Sequence, residues 1–353
     1  MKETNTNKLE KSVLKTLAFY AALKTPLTLP QVGRYLINTE YLVLSTKLSE
    51  IENVLDNLIK NNIVTKQKGL YWLSSCNAKP ETGDMNNKPS LYMKFIQSEK
   101  IAQRKINLVR KALKIFRFVP GLRGIFICGS VARGVCQRNS DIDFLILTEK
   151  GRVWTVRFFL TAIAFLLGKK TRDAGHVSSF RPAPRGDTKF QISRKNKFCL
   201  NHYRSTAKLK LEKDLQDLYS AQEYARIINL YETATLNSKA RSSSENFFKE
   251  NAGWMGKFLP NFNFAKPPIY RKNCAETRHV LSLRKKASDL LEKILQPLQA
   301  AKIQKSSQNF AQLDKLRIIA NNNVIMFHLN PQAPIVIEKY NNFTLKTFSI
   351  LNF

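Results

Sequence analysis

The spacing of apolar and polar positions predicts a chain that is mostly helical, with short strands between the helices. In residues 8–23 apolar side chains recur at helical spacing, and the helix that they predict ends before Pro26. A second, short helix is predicted after Pro30. Residues 48–58 again have apolar side chains at helical spacing, and Ser49 and Glu52 form a candidate capping box. Together they predict a third helix.

A β-hairpin is predicted after the third helix, because the runs IVTKQ and LYWL flank Lys68-Gly69 within residues 63–73. Three helices followed by a basic hairpin resemble a winged-helix domain, which we expect to span residues 1–76. The resemblance implies that the third helix reads DNA. Glu52 and Asp56 on that helix make a poor surface for phosphate, so we favour contact with a protein partner.

The middle of the chain is predicted to begin with a linker at residues 77–90, which contain two prolines, a glycine and no apolar pattern. Leu91–Val119 then predicts a long basic helix that ends at Pro120-Gly121. Two short apolar runs, Ile125–Cys128 and Phe144–Leu147, predict two strands. The order is therefore helix, strand, turn and strand.

A buried helix is predicted next, at Trp154–Gly168, because its apolar run is bounded by charges and is too short to cross a bilayer. The basic stretch Lys169–Asn196 has no regular pattern, and we expect it to form a loop over the candidate site described below. A further strand is predicted at Lys197–Tyr203.

The C-terminal region, residues 211–353, is predicted to be mostly helical. A capping box, Ser220 to Glu223, begins one helix, whose predicted apolar face comprises Tyr224, Ile227, Ile228 and Tyr231. Further helices are predicted at Phe247–Leu259 and at Leu281–Ile303, the latter interrupted at Pro297. Asn323–Phe353 predicts strands or irregular structure only weakly.

The formal net charge of +32 is extreme for 353 residues and favours an anionic partner. The excess is concentrated in residues 151–210, where 14 Lys and Arg face two acids. Nucleic acid is one candidate partner. The alternative is a lysine-rich proteome encoded by an AT-rich genome, which the many Lys and Asn residues also fit.

Cysteine usage and the N-terminus indicate an intracellular setting. The five cysteines are odd in number and lack CxxC spacing, which argues against a disulfide framework and against a zinc site. Residues 1–11 carry no apolar core of a signal peptide, so we expect a cytoplasmic protein without a transmembrane segment. Of the four histidines, His202 alone has an expected place near the candidate site.

Candidate chemistry is concentrated in Gly124–Thr148, GIFICGSVARGVCQRNSDIDFLILT. A glycine at Gly129-Ser130 permits close approach of a ligand, and a helix predicted over Val131–Cys136 favours an anion at its first turn. Asp141 and Asp143 fall on one face of the second strand by alternation. Two adjacent carboxylates need a cation, and Mg²⁺, or Mn²⁺ as an alternative, fits an acid pair beside phosphates.

The residues GSVARG, 129–134, followed by SDID, 140–143, resemble the signature of the DNA polymerase beta-like nucleotidyltransferase superfamily, and the GSxARG form is similar to its minimal nucleotidyltransferase branch. The resemblance implies an α+β fold in which residues 91–210 form the nucleotidyltransferase core, a small mixed sheet with helices. It also implies that Gly129 and Ser130 hold a nucleoside triphosphate and that Asp141 and Asp143 bind the metal and carry catalysis.

Other residues of the motif have less defined roles. Arg133 is expected either to reach the phosphates or to lie on a solvated helix face, and Ser140 to fix the aspartates through a local turn hydrogen bond. The family usually has a third carboxylate on the next strand, but KFCLNHY contains no acid. Asn201 is the candidate neutral ligand in its place, with His202 as the alternative.

The function that these features predict is transfer of a nucleoside monophosphate from a nucleoside triphosphate to an acceptor, with release of pyrophosphate. The acceptor is left open among nucleic acid, a protein hydroxyl and a small molecule. The missing third acid keeps a second class open, namely an inactive or weakly active nucleotide sensor. A nucleic-acid-binding regulator that uses the basic surface is a third possibility.

Overall fold

The computed structural model describes residues 5–37, 47–77, 90–168, 197–233, 242–264, 281–308, 317–328 and 332–350. The N-terminal module consists of α1 (Asn5–Ala22), β1 (Leu27–Thr28), α2 (Leu29–Arg34), α3 (Leu48–Lys60), β2 (Val64–Gln67) and β3 (Leu70–Leu73). Its strands form an antiparallel sheet in the order β1-β3-β2. The three helices and the hairpin are confirmed.

The backbone conformation of the hairpin turn accounts for the glycine in it. Lys68 has φ 49° and Gly69 has φ 78°. A two-residue turn with both central residues in the left-handed region matches the twist of paired strands. Glycine adopts that conformation without strain, which is why this pair connects β2 to β3.

The middle of the chain contributes α4 (Leu91–Phe116), β4 (Leu122–Cys128), α5 (Gly129–Ala132), β5 (Ile142–Thr148), α6 (Val153–Leu166) and β6 (Phe198–Ser205). The C-terminal part adds α7 (Leu218–Ala225), β7 (Ile228–Glu232), α8 (Ser243–Phe258), α9 (Leu281–Gln308), β8 (Arg317–Ala320), β9 (Val324–His328) and α10 (Gln332–Ile350). The second sheet has the order β7-β4-β5-β6-β9-β8. Among the strands that the structure describes, β5 and β6 pair in parallel and the other neighbours of this sheet pair antiparallel, so the sheet is mixed, and the α+β class is confirmed.

The two faces of this mixed sheet bury separate cores. Ile127, Phe144 and Ile146 face one side, where α4 and α6 cover them. Leu145 and Leu147 face the other side, in a cluster shared with α7, α8 and the N-terminal module. Successive residues of a strand point to opposite faces, so Asp143 lies on the face of Leu145.

The N-terminal module packs against α7 through Gln222. Tyr20 Oη donates to Gln222 Oε1 at 2.6 Å, and Gln222 Nε2 donates to the carbonyl oxygen of Tyr35 at 3.0 Å. The rings of Phe19 and Tyr340 lie 5.8 Å apart where α10 contacts α1. The module therefore shares a core with the sheet face that carries Asp143.

Two predicted helix starts are wrong by one or a few residues. Helix α3 begins at Leu48, and the Lys47 amide N–H donates to Glu50 Oε2 at 3.3 Å, so Ser49 lies inside the helix. The α7 cap is Asp217, whose carboxylate accepts from the Ser220 amide at 2.7 Å. In both cases a backbone N–H group at the helix start bonds to a carboxylate other than the predicted one, Glu50 for α3 and Asp217 for α7.

Other differences come from tertiary pairing. Tyr231 and Ile228 lie on strand β7, which pairs with β4, and not on a helix face. Helix α9 runs through Pro297 without the predicted interruption. Strands or irregular structure were predicted for residues 332–350. These residues instead form α10, which packs on α1.

Two predicted segments fall on residues outside the described ranges: the basic loop at 169–196 and, except for its two end residues, the linker at 77–90. In the part of the chain that the structure describes, no helix combines the length and the apolar character needed to cross a bilayer.

Candidate active site

The two aspartates lie at the start of the central strand. Asp141 directly precedes β5, and Asp143 is its second residue. Cys128 on β4 and Cys199 on β6 are the register partners of Asp143 on either side. Because side chains alternate along the strand, Asp141 and Asp143 point to the same face.

Gly129 provides the space beside this acid pair. It has φ +68°, and a Cβ at this position would lie 2.6 Å from Asp143 Oδ2. Any side chain would therefore displace the carboxylate, in a backbone conformation that other residues rarely adopt. Ser130 follows, half-buried, and its carbonyl oxygen accepts from the Val135 amide at 3.0 Å.

The helix after this turn is shorter than predicted. It covers only Gly129–Ala132, and Gly134, with φ +77°, follows its end. The predicted helix over Val131–Cys136 is wrong, and a helix of one turn adds little macrodipole. Attraction for an anion therefore depends on the individual N–H groups of the turn and on nearby cations.

Burial and repulsion raise the pKa of Asp143 to about 6. Burial is the largest cause, the charge of Glu223 is the next, and the charge of Asp141 adds to the rise. A hydrogen bond from the Cys199 thiol and the charge of Arg133 act in the opposite direction. Burial also raises the pKa of Asp141, against the charges of Lys197 and Lys105. Burial and repulsion therefore disfavour the ionised pair, which a bound cation would stabilise.

Lys105 fixes the loop that leads into Asp141. This residue of α4 is buried, and its Nζ donates to the carbonyl oxygen of Gln137 at 2.8 Å and to that of Ser140. Ser140 Oγ accepts from the Gln137 amide at 3.0 Å, so the predicted local turn hydrogen bond at Ser140 is present. Sequence reasoning missed Lys105, although a lysine among the apolar positions Ala102, Ile106 and Val109 of α4 was a usable signal.

Arg133 follows α5 and is half-buried. Its charge lowers the pKa of Asp143, which places it within electrostatic range of the acid pair. Its Nε is buried without a hydrogen-bond partner among the described residues. The Nε of the motif arginine is therefore out of contact with solvent, although the residue as a whole is half-buried.

Strand β6 presents Cys199, and not Asn201, beside Asp143. The register passes from Asp143 opposite Cys199 to Leu145 opposite His202, so β6 carries one extra residue in this interval. The Cys199 thiol hydrogen-bonds to the Asp143 carboxylate. The assignment of Asn201 as a metal ligand stays a prediction.

His202 belongs to a buried polar network away from the acid pair. Its Nε2 accepts from Arg204 Nε at 3.2 Å, and its Nδ1 lies 3.3 Å from Tyr224 Oη. Arg204 also donates to the carbonyl oxygens of Lys208 and Lys210 and pairs with Glu212. His202 therefore has its ring nitrogens engaged within the fold, and the alternative of His202 as a neutral ligand has no support.

A third carboxylate approaches the site from helix α7. Glu223 raises the pKa of Asp143 more than Asp141 does, so its charge acts on Asp143 at close range. Tyr219, one turn earlier on α7, hydrogen-bonds to Glu223 through its hydroxyl. Sequence reasoning assigned Glu223 only to a capping box, because nothing local shows that α7 packs over β5.

The residues present fit a divalent ion that is bound by two carboxylates and completed by substrate phosphates, and not an ion whose ligands all come from the protein. Asp141 and Asp143 offer oxygen ligands from one strand face, and burial is the largest cause of the raised pKa of each. Mg²⁺ is usually bound by one or two carboxylates together with substrate phosphates. Among the described residues no group of three or more His, Cys, Asp and Glu is arranged to hold an ion by itself.

Comparison with known proteins gives one match. Residues 109–219 match a family model described as "Nucleotidyltransferase domain". The matched segment extends from α4 into the start of α7 and includes Gly129, Asp141 and Asp143, whereas Glu223 lies beyond its end. Comparison with curated proteins found no match, and comparison with solved structures found none.

Proposed function

We propose, from the nucleotidyltransferase domain that this chain carries over residues 109–219, that the protein transfers a nucleoside monophosphate from a nucleoside triphosphate to an acceptor and releases pyrophosphate. The domain assigns the chain to transferases of phosphorus-containing groups. One observation supports the finer proposal most. Gly129 leaves room for a ligand directly beside Asp143, whose strand also places Asp141 on the same face.

The Gly129-Ser130 turn binds the triphosphate in this proposal. A backbone free of side chain at Gly129 lets a phosphate approach the acid pair closely. Asp141 and Asp143 would hold Mg²⁺ or Mn²⁺, which would supply positive charge to the transferred and leaving phosphates. Arg133 adds a fixed positive charge to the phosphate side, and Lys105 keeps the Ser140 carbonyl and hence Asp141 in position.

Glu223, and not the neutral Asn201, is the third polar group of the site in this proposal, and it brings a third negative charge. It lies on α7, whose neighbouring Gln222 is held by Tyr20 and Tyr35 of the N-terminal module. We assign to its carboxylate the proton of the acceptor hydroxyl, because attack on phosphorus requires that proton to leave. Packing of the N-terminal module thereby positions an acidic residue of the site.

Transfer of label tests the proposal. The purified full chain is incubated with a nucleoside triphosphate labelled at the α-phosphorus, with Mg²⁺ and a cell extract. Label should become attached to an extract component, and the chemical class of that component identifies the acceptor. If label is bound but never transferred, the chain is a nucleotide sensor instead of an enzyme.

The N-terminal module is proposed to contact a protein, in keeping with the charge of α3. The exposed face of this helix carries Glu50, Glu52 and Asp56 against Lys60. Such a face repels phosphate. Binding of duplex DNA to the full chain should therefore be unaffected by Asp56→Asn. A marked gain in DNA affinity in that variant would indicate that α3 faces nucleic acid.

A further inference from the structure

Three arginines place unpartnered nitrogen atoms inside the protein. They come from separate elements: Arg34 ends α2, Arg133 follows α5 and Arg226 follows α7. Nε and Nη2 of Arg34, Nε of Arg133 and Nη1 of Arg226 are buried and have no hydrogen-bond partner within the described ranges. A buried donor of a charged group left without an acceptor is expensive.

Aromatic rings bring Arg34 and Arg226 together. Arg226 Cζ lies 4.9 Å from the ring centroid of Tyr35 and 5.1 Å from that of Tyr20. Arg34 Cζ lies 6.0 Å from the same Tyr35 centroid and 4.9 Å from that of Phe262. Two guanidinium groups thus lie against one tyrosine ring.

Arg133 belongs to the same cluster by its electrostatic range. Burial raises the pKa of Tyr20 to about 12, and the charges of Arg226 and Arg133 oppose that rise. Arg133 also lowers the pKa of Asp143. Its charge therefore acts both on the acid pair and on Tyr20, whose ring Arg226 contacts.

The aromatic residues satisfy these side chains only in part: Arg226 donates a hydrogen bond to the Tyr20 hydroxyl, and its Nη1 stays without a partner within the described ranges. A ring faces the guanidinium plane and attracts its charge, whereas the N–H groups point outward within that plane and need acceptors. Arg204 shows how this protein satisfies a structural arginine, because it is fully buried and its nitrogens reach His202, two carbonyl oxygens and Glu212. Arg34, Arg133 and Arg226 lack comparable sets of acceptors for the atoms named above.

We propose that Arg34, Arg133 and Arg226 form a binding site for a phosphate-bearing ligand, at the junction of the N-terminal module and the nucleotidyltransferase domain. Guanidinium groups bind phosphate in a fork geometry, with two N–H groups to two oxygens, and are the preferred side chains where that geometry matters. Phosphate oxygens would accept from the orphaned nitrogens and offset the repulsion among three like charges.

This site deepens the proposed function and rests on it only for the source of the phosphate. One source is the nucleoside triphosphate itself, whose terminal phosphates would extend from the Gly129 turn past Arg133. The other is a phosphate on the acceptor. Both share the same chemistry, and competition distinguishes them.

Binding of inorganic tripolyphosphate tests the site without nucleotide, metal or turnover. Calorimetry on the full chain at about 0.15 M salt compares the wild type with Arg34→Met and Arg226→Met, which keep an unbranched stem against the rings. Arg104→Gln is the charge-matched control, because Arg104 is exposed on α4. We expect each cluster variant to lose about tenfold or more in affinity, and the control to lose little.

Equal affinity in the wild type, the two cluster variants and the control would overturn the site. Arg34→Lys and Arg226→Lys, checked for native circular dichroism, guard against a folding defect and should bind with intermediate affinity. If added triphosphate nucleotide displaces tripolyphosphate, the source is the nucleotide; if both bind together, the source is another molecule. If the cluster variants lose tripolyphosphate affinity and the wild type transfers no nucleotide, the site is supported and the proposed function is contradicted. If the wild type transfers nucleotide and the cluster variants keep full tripolyphosphate affinity, the proposed function is supported and the site is contradicted.

Discussion

Asp143 Oδ2 occupies space that only a glycine at position 129 leaves open, because a Cβ there would lie 2.6 Å from that oxygen. Gly129 and Asp143 belong to adjacent segments joined by the Cys128–Asp143 register pair. The conformation of the turn and the position of the carboxylate are therefore one structural feature. A change at either residue should alter the other.

Gly129→Ala should abolish transfer by displacing the Asp143 carboxylate. Gly151→Ala is a matched control, because Gly151 has the same φ of +68° and nothing within 4 Å of its Cβ position. Both variants carry the strain of a left-handed alanine, about 1 kcal/mol of unfolding free energy. Only the first should lose nucleotide affinity in a titration. Equal affinity in the two variants would remove the turn from the site.

Asp143→Asn should stabilise the metal-free protein at neutral pH. The pKa of Asp143 is raised from its ordinary 3.8 to about 6, so ionisation is harder in the folded state, and folding loses stability as pH rises from about 4 through 6. The variant lacks this loss, and the gain should be on the order of 1 kcal/mol after allowance for partial exposure.

Urea denaturation in EDTA at pH 4 and pH 8 measures this difference, with exposed Asp56→Asn as the control. The two proteins should be of similar stability at pH 4, and Asp143→Asn should be the more stable at pH 8. A variant that is less stable than the wild type at pH 8 would contradict the raised pKa of Asp143.

Glu223→Gln should lower the pKa of Asp143, because it removes the largest charge that raises it. The acidic limb of the pH–rate profile should then move to lower pH while the rate at its plateau falls.

Asn201→Asp should leave the magnesium dependence nearly unchanged, since Cys199 and not Asn201 is the register partner of Asp143. A tightened magnesium requirement in Asn201→Asp, with Glu223→Gln unchanged, would restore Asn201 as the third ligand.

Arg204→Met should destabilise the fold by about 3 kcal/mol, because it leaves buried acceptors and the Glu212 carboxylate unpaired. Arg123→Met is the control, since Arg123 pairs with Glu149 at 3.1 Å with both side chains about a third or more exposed. That pair should contribute less than about 1 kcal/mol. The pair Arg204–Glu212 should also weaken in acid, where Glu212 becomes protonated. Burial raises the pKa of Glu212, but the charge and hydrogen bond of Arg204, a backbone hydrogen bond and the charge of Lys208 together lower it. Similar unfolding free energies for both variants would argue against the network.

Sequence patterns within one segment predicted the elements that depend only on the residues of that segment. The Lys68-Gly69 turn, the α4 helix and the short strands around Gly129 and Asp143 follow from periodicity and from glycine at positive φ. The acid pair could be predicted because alternation within one strand fixes the common face. Long-range contacts decided what was missed, since α10 is held against α1 and β7 against β4.

The rest of the site is assembled from distant segments. Lys105 reaches the Ser140 carbonyl across 35 positions of sequence, and Tyr20 reaches Gln222 across 202. No local spacing indicates that Glu223 acts on Asp143 or that Arg34 and Arg226 share the ring of Tyr35. These relationships depend on how the N-terminal module packs on α7, which the pattern of a single segment does not contain.

Release of pyrophosphate from a nucleoside triphosphate tests the central claim most directly. The full chain is supplied with magnesium, each of the four common ribonucleotides in turn and the acceptor fraction that becomes labelled. The wild type and exposed Asp56→Asn should release pyrophosphate, and Asp141→Asn and Asp143→Asn should each lose that activity by about a hundredfold or more while keeping native circular dichroism. Normal release by both site variants would show that the acid pair beside Gly129 does not carry the reaction.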